Sequence, residues 1–340
     1  MSDTQNASSG LNVPRIEELL VQGGNYYTKQ SFLEQEPGKY FQYSDFNFVI
    51  IATIIENIVK QRFDIYMNEN VLEPLGISGS FNIDDLSQNQ INNLACLYDI
   101  DDLGVLYESK NCFKKQKPDF THLTNGYIVG TNGGLFNPQG GLNLTLEELH
   151  QVLYMLYNDG ISIKDKKQII QKSSTDLMKT IQWQYDGNNA KQSSFIQAYG
   201  QGLQISTDKK KIDQIFPGRQ VVGHTGQAYG LMSNMFFDAK NGNGYIFAHN
   251  GMKQQPLFSN KSKFYKIEQD LIDLSYNALY TEKYQMSFLV AFRIIIGMGA
   301  YIGAIIFGVF FCYNKKQEKQ KQQKKNDVLL NEELEKQEIK

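Results

Sequence analysis

The chain has 340 residues, 41% hydrophobic and 12% aromatic, enough apolar material for a buried core and too much for wholesale disorder. A net charge of -2 excludes a nucleic-acid binder that works through a broad basic face. Three cysteines are too few for a disulfide framework or zinc cage, and His122, His150, His224 and His249 show no ligand spacing, so no metal site is legible.

Residues 1–30 are polar and dotted with glycine, with one short amphipathic stretch at 16–21, and read as an N-terminal remnant. After the turn at Pro37-Gly38, Phe48, Ile51, Ile55 and Ile58 recur at helical spacing, and Asp45 stands where an N-cap belongs. A second short helix is predicted over 63–71, stopping at Pro74-Leu75-Gly76. Residues 80–127 are loop-rich, with a short strand predicted at 94–98. Cys96 and Cys112 read as two free thiols, a pair across the loop being the alternative in an oxidising compartment. Thr145 and Glu148 form a capping box ahead of a helix over 149–157, which Gly160 closes. A further helix is predicted over 175–182.

The period then changes to two. Strands are predicted at 203–205, 220–222, 231–237 and 245–249, with 232–238 and 244–249 forming an antiparallel hairpin. A helix over 265–279 follows. Helices first, then an antiparallel sheet and a terminal helix, indicate an α+β domain over 31–280.

Residues 294–312 carry no charge. About 19 helical residues at ~1.5 Å each span about 29 Å, close to the thickness of a bilayer's hydrocarbon core. A single-pass transmembrane helix is therefore predicted over 288–313, followed by a Lys/Gln-rich tail at 314–340. Lys315, Lys316, Lys319, Lys321, Lys324 and Lys325 outweigh Lys283 and Arg293 upstream, which places the tail in the cytosol and the domain outside the cell or in a lumen. An exported domain needs a signal, and the opening MSDTQNASSG does not read as one. Sequons at Asn6, Asn143 and Asn260 fit export.

Four separated pieces carry a resemblance. Pro37-Gly38-Lys39-Tyr40-Phe41-Gln42-Tyr43-Ser44-Asp45, followed by Leu72-Glu73-Pro74-Leu75-Gly76-Ile77, is similar to a PGxxFxYSN…PLGM signature. Gln139-Gly140-Gly141-Leu142 ahead of the Thr145 helix, Tyr199-Gly200-Gln201-Gly202-Leu203, and Gly223-His224-Thr225-Gly226-Gln227-Ala228-Tyr229-Gly230 follow in the expected order. Together they resemble class C β-lactamases and the related DD-peptidases and serine hydrolases. The resemblance implies a β-lactamase/transpeptidase-like fold, an antiparallel sheet flanked by helices plus a helical subdomain. The implied reaction is acyl transfer through a serine acyl-enzyme, without a cofactor.

By the same resemblance Tyr43 is the general base or relay hydroxyl, which requires neighbouring positive charge to lower a phenol from about 10. Asp45 replaces the family's Asn, either as a plain helix cap or as an altered site residue that only accepts. His224 replaces the lysine of the KTG box and can donate, accept or shuttle a proton, a plain strand histidine being the alternative. Thr225 would offer its hydroxyl to substrate, Gly226 would keep the edge strand open, and the Gln227 N–H would serve the oxyanion hole. The expected partners are an acyl small molecule, an ester or small peptide, and a membrane.

The family's nucleophile lies in a Ser-x-x-Lys upstream of the tyrosine, and no serine before Tyr43 has Lys at +3. Ser206-Thr207-Asp208-Lys209 matches, but roughly two matches are expected by chance among about 20 serines. It is rejected. The expectation is a membrane-anchored serine hydrolase whose nucleophile segment is missing from these residues, inactive as written. The alternative is a membrane-tethered, non-catalytic binding module on the same fold.

Overall fold

The computed structural model describes residues 13–101, 103–108, 117, 119–190, 195–253 and 257–281. The transmembrane helix predicted at 288–313 and the tail at 314–340 lie outside the described residues. Among the described residues, no helix is long and apolar enough to cross a membrane.

The first half is helical: α1 Ile16–Leu20, α2 Phe46–Val59, α3 Phe63–Met67, α4 Glu73–Leu75, α5 Gln88–Asn93, α6 Thr121–Thr124, α7 Leu146–Tyr157 and α8 Lys172–Lys179. A small sheet sets β1 (Tyr98–Ile100) between β2 (Leu106–Glu108) and β9 (Met252–Lys253). The main sheet is an antiparallel meander of β3 (Trp183–Gln184), β4 (Ala198–Tyr199), β5 (Gln204–Ile205), β6 (Val221–Ala228), β7 (Leu231–Asp238) and β8 (Gly244–His249), ordered as in the chain. The last described helix is α9, Lys266–Tyr280.

Strand alternation gives the sheet two apolar faces. Val222 and Phe237 pack with Leu153 and Leu156 of α7, whereas Met232, Phe236 and Tyr245 pack with Ile272 and Leu279 of α9. The result is helix, sheet, helix, the α+β architecture expected. Tyr229 and Gly230 both have positive φ, the type I′ turn that suits a two-residue hairpin. That turn sets the register in which His224 lies opposite Met235.

The capping box at α7 is present: the Thr145 hydroxyl accepts the Glu148 N–H, and the Glu148 carboxylate accepts the Thr145 N–H. Thr145→Ala is expected to cost about 1 kcal/mol, read as a lower denaturant midpoint at unchanged slope.

Three local expectations are corrected. α8 runs 172–179 rather than 175–182, because the Gln182 N–H is taken by the Tyr199 carbonyl and the chain there joins the sheet. The strand expected at 94–98 starts at Tyr98, whose N–H bonds the Asn250 side chain. Cys96 is disulfide-bonded rather than free, its partner lying outside the described residues.

The helix expected from the isoleucine spacing is present as α2, and of its periodic isoleucines only Ile55 packs against the core. Ile51 and Ile58 are 51% and 74% exposed, and Ala52, Thr53 and Glu56 are buried instead. The polar face is inward because the 127–134 loop needs partners there. Thr53 Oγ1 accepts the Gly133 N–H at 2.9 Å, the Asn57 amide donates to the Gly130 carbonyl at 2.8 Å, and Glu56 accepts from Phe63, Gly130 and Tyr127. A side chain at Gly133 would come within 2.8 Å of the Ala52 backbone, so glycine permits the close approach. On the loop's far side, the Ile16 N–H donates to the Thr131 carbonyl at 2.7 Å, docking α1.

Candidate active site

β6 is only partly covered. β5 pairs with it at Val222 and Gly223 alone, and the Ser206 N–H bonds the Val221 carbonyl. By the two-residue alternation, the amides of Val221, Gly223, Thr225 and Gln227 point to the β5 side. Beyond Gly223 they meet no β5 partner. The strand is therefore an open edge at the HTGQ residues, although its first half is internal.

The segment before α2 crosses this edge. The Phe41 N–H bonds the Asn189 carbonyl, and the Phe41 ring stacks on Trp183 at 4.2 Å. This carries Tyr43 against His224, ring centroids 5.6 Å apart, with Tyr199 at 6.4 Å from Tyr43. Phe48, one helical turn into α2, lies 6.2 Å from the Tyr43 ring. Residues far apart in the chain thus meet where the segment before α2 packs on the sheet.

His224 is held at both nitrogens. Nδ1 lies 2.6 Å from the Thr225 carbonyl oxygen, and Nε2 lies 3.0 Å from the Tyr199 hydroxyl. Burial pushes its pKa down, opposed in part by the Thr225 carbonyl and the charge of Asp45, so the ring is neutral near pH 7.

Asp45 is exposed and precedes α2, but no side-chain cap bond forms. A capping side chain reaches the helix amides from extended backbone, whereas Asp45 sits at φ -59° and ψ -33°. The plain-cap reading is thereby corrected: its carboxylate acts instead on the Tyr43 phenol, two residues before it.

Tyr43 also departs from what a base requires. Burial first, then the charge and hydrogen bond of Asp45, push its pKa up to about 12. Asp45→Asn removes the negative charge, so the Tyr43 pKa is expected to fall from about 12 toward the ordinary 10, seen in an ultraviolet phenolate titration. The same substitution should lower the His224 pKa further, since the Asp45 charge props it up.

Thr225 lies on the opposite strand face from His224, where Gln204 Nε2 donates to its hydroxyl at 3.1 Å. The Gln227 side chain points to the α9 side, accepting from the Tyr265 hydroxyl, while its backbone N–H faces the open edge. Gly226 shares the His224 face, and a Cβ there would lie 2.7 Å from the Ser233 hydroxyl. The structure thus brings together Tyr43, Asp45 and His224, sets the Gln227 amide on the edge, and leaves the Thr225 hydroxyl outside the cleft.

Tyr199, whose hydroxyl meets His224, was not among the residues the sequence singled out for the site. Its motif was legible, but nothing in the sequence pairs it with His224. Ser206 is 7% exposed, donates to the Asp213 carbonyl at 2.7 Å and accepts the Asp208 N–H at 3.2 Å. It ties a turn together, and Lys209 reaches the Gln197 side chain, not Ser206. Among the described residues no cluster fit for a metal ion occurs. An open cleft of about 460 Å³ bordered by Glu73, Ser80, Asp85 and Lys164 includes none of the Tyr43–His224 residues.

A family model described as Beta-lactamase matches residues 6–265. No curated protein is matched. Among solved structures, D-amino acid amidase from Ochrobactrum anthropi SV3 with L-phenylalanine amide is 16% identical, with a TM-score of 0.49, covering 75% of this chain and 61% of the amidase. A penicillin binding protein from Bacillus halodurans is 14% identical, with a TM-score of 0.48 and coverages of 81% and 66%. A D-stereospecific amidohydrolase from Streptomyces sp. is 17% identical, with a TM-score of 0.42 and coverages of 64% and 52%. The chain spans less than two thirds of each of these proteins.

Proposed function

The chain belongs to the beta-lactamase family, and from that premise we propose that the Tyr43–His224 cleft is a serine-hydrolase acyl-transfer site for an ester or small peptide, in a domain tethered to a membrane. The observation that carries the reading is the meeting of the Tyr43 and His224 rings, 5.6 Å apart, from motifs at opposite ends of the domain. A neutral imidazole in place of a fixed cation suits an uncharged ester or amide better than a carboxylate-bearing substrate. The Gln227 N–H on the open edge is the oxyanion donor.

These 340 residues hold the cleft without a usable Ser-x-x-Lys, since Ser206 is committed to its turn. Neither a fluorophosphonate nor a penicillin probe is expected to label a chain limited to them; labelling at Ser206 would show that the wrong serine was dismissed. The protein isolated from its own cells, with every residue it carries there, is expected to hydrolyse acyl esters. His224→Gln should then cost about 10²–10⁴-fold in kcat/KM. Failure to turn over any ester, amide or peptide favours the second reading, a non-catalytic binding module. Asp45 supports that reading, because its charge adds to burial in raising the Tyr43 pKa.

Tethering rests on the uncharged run at 294–312 and the lysines after it. The disulfide at Cys96 agrees with a domain on the oxidising side. Resistance to alkaline extraction and protease digestion of the tail only from the cytosolic side are the expected results. Release by alkali would remove the anchor from the account.

A further inference from the structure

His224 is pinned by two partners of unequal freedom. A backbone carbonyl can only accept, so the 2.6 Å contact with the Thr225 oxygen requires a proton on Nδ1. In the neutral ring Nε2 then carries the lone pair. The 3.0 Å contact there has one sense: the Tyr199 hydroxyl donates to Nε2. The Tyr43 ring packs against the imidazole at 5.6 Å, and the charged group beside its phenol is Asp45, a much weaker base than imidazole. Two tyrosine rings meet the imidazole, and of these two Tyr199 is the one hydrogen-bonded to it.

We propose that Tyr199 and His224 form the proton relay of this cleft, with Tyr199 as the intermediate hydroxyl, His224 as the terminal acceptor, and Tyr43 and Asp45 as a flanking pair that shapes the cleft. The proposal rests on the acyl-transfer reading and assigns its proton path. As an attacking O–H adds to the acyl carbon, its proton passes to the Tyr199 oxygen while the proton already there passes to His224 Nε2. The resulting imidazolium donates Nδ1–H to the Thr225 carbonyl and lies within the field of Asp45. When the leaving group departs, both transfers reverse and Tyr199 delivers a proton to it. Protons balance over the cycle. Burial of Tyr199 keeps its hydroxyl protonated at rest, so it passes a proton on only as it receives one.

The groups facing the imidazole are Tyr199 from β4, Tyr43 and Asp45 ahead of α2, and the Thr225 carbonyl on its own strand. Among these only Tyr199 bonds the ring nitrogen that changes protonation.

The test is nitrogen NMR of the 340-residue chain labelled at histidine, with the His224 signals assigned through His224→Gln. The expected spectrum shows His224 as the Nδ1–H tautomer, with an Nε2 signal typical of a hydrogen-bonded lone pair. Tyr199→Phe should shift that signal to the position of a free lone pair without altering the fold, and Tyr43→Phe should leave it in place. A His224 found as Nε2–H, or an Nε2 signal indifferent to Tyr199→Phe, overturns the proposal. The kinetic arm uses the protein from its own cells. Tyr199→Phe should lower kcat about 10²-fold or more with little change in KM, and Tyr43→Phe should cost less. The reverse order of the two losses also overturns it. The spectra speak to the relay even where no turnover is seen, whereas absent turnover alone counts against the hydrolase reading.

Discussion

Glu56→Ala is expected to destabilise the domain by about 3–5 kcal/mol. Glu56 is fully buried in α2 and accepts three hydrogen bonds, from the Phe63 N–H at 2.8 Å, the Gly130 N–H at 2.9 Å and the Tyr127 hydroxyl. Its removal strands all three donors, each worth roughly 1–3 kcal/mol when left dry. Water entering beside the 127–130 loop offsets part of that sum. Glu56→Gln keeps one carbonyl oxygen and should lose about half as much. Urea unfolding of both variants checks the order. A cost below about 1 kcal/mol for the alanine variant would mean that this carboxylate does not hold loop and helix together.

The second large loss is expected in the sheet. Phe237 is fully buried on β7, directly opposite Val222 of β6, with the Tyr157 ring edge-on at 6.3 Å. Phe237→Ala removes most of that side chain from the packed layer between β7 and α7, a loss of about 3–5 kcal/mol with the cavity included. Val222 is two residues before His224 on the same strand face, so the cavity also loosens the support under the cleft. Ile58→Ala is the control. At 74% exposure it should change stability by less than about 0.5 kcal/mol, although hydropathy alone ranks the two positions together.

That contrast shows how far the sequence could be read. Strong local signals were sufficient for the elements that depend on them: the Thr145–Glu148 box begins a helix, and the hairpin of β7 and β8 follows the alternation over 231–249. The period of α2 was equally plain. Which side of it lies inward was not, because that depends on a loop some 75 residues later supplying N–H groups that need acceptors. For the cleft, motif resemblance named Tyr43, Asp45 and His224, which the fold brings together. It also named Thr225, whose hydroxyl the fold turns to the other face, toward Gln204.

Tyr199 escaped notice for the same physical reason. Its partner is set by the register of β4, β5 and β6, and a register is a property of paired strands. The Tyr43 phenol shows the limit on charge: the sequence placed Asp45 two residues away, but only the fold shows burial, with the Asp45 charge, driving the pKa up rather than down.

The most direct check on the whole account is a proton NOESY spectrum of the 340-residue chain, read at the His224 imidazole. Cross-peaks to the rings of both Tyr43 and Tyr199 are the predicted result, with all three sets of signals shifting when an ester or small peptide is added. An imidazole that sees Tyr199 but never Tyr43, and ignores every acyl ligand, would contradict it.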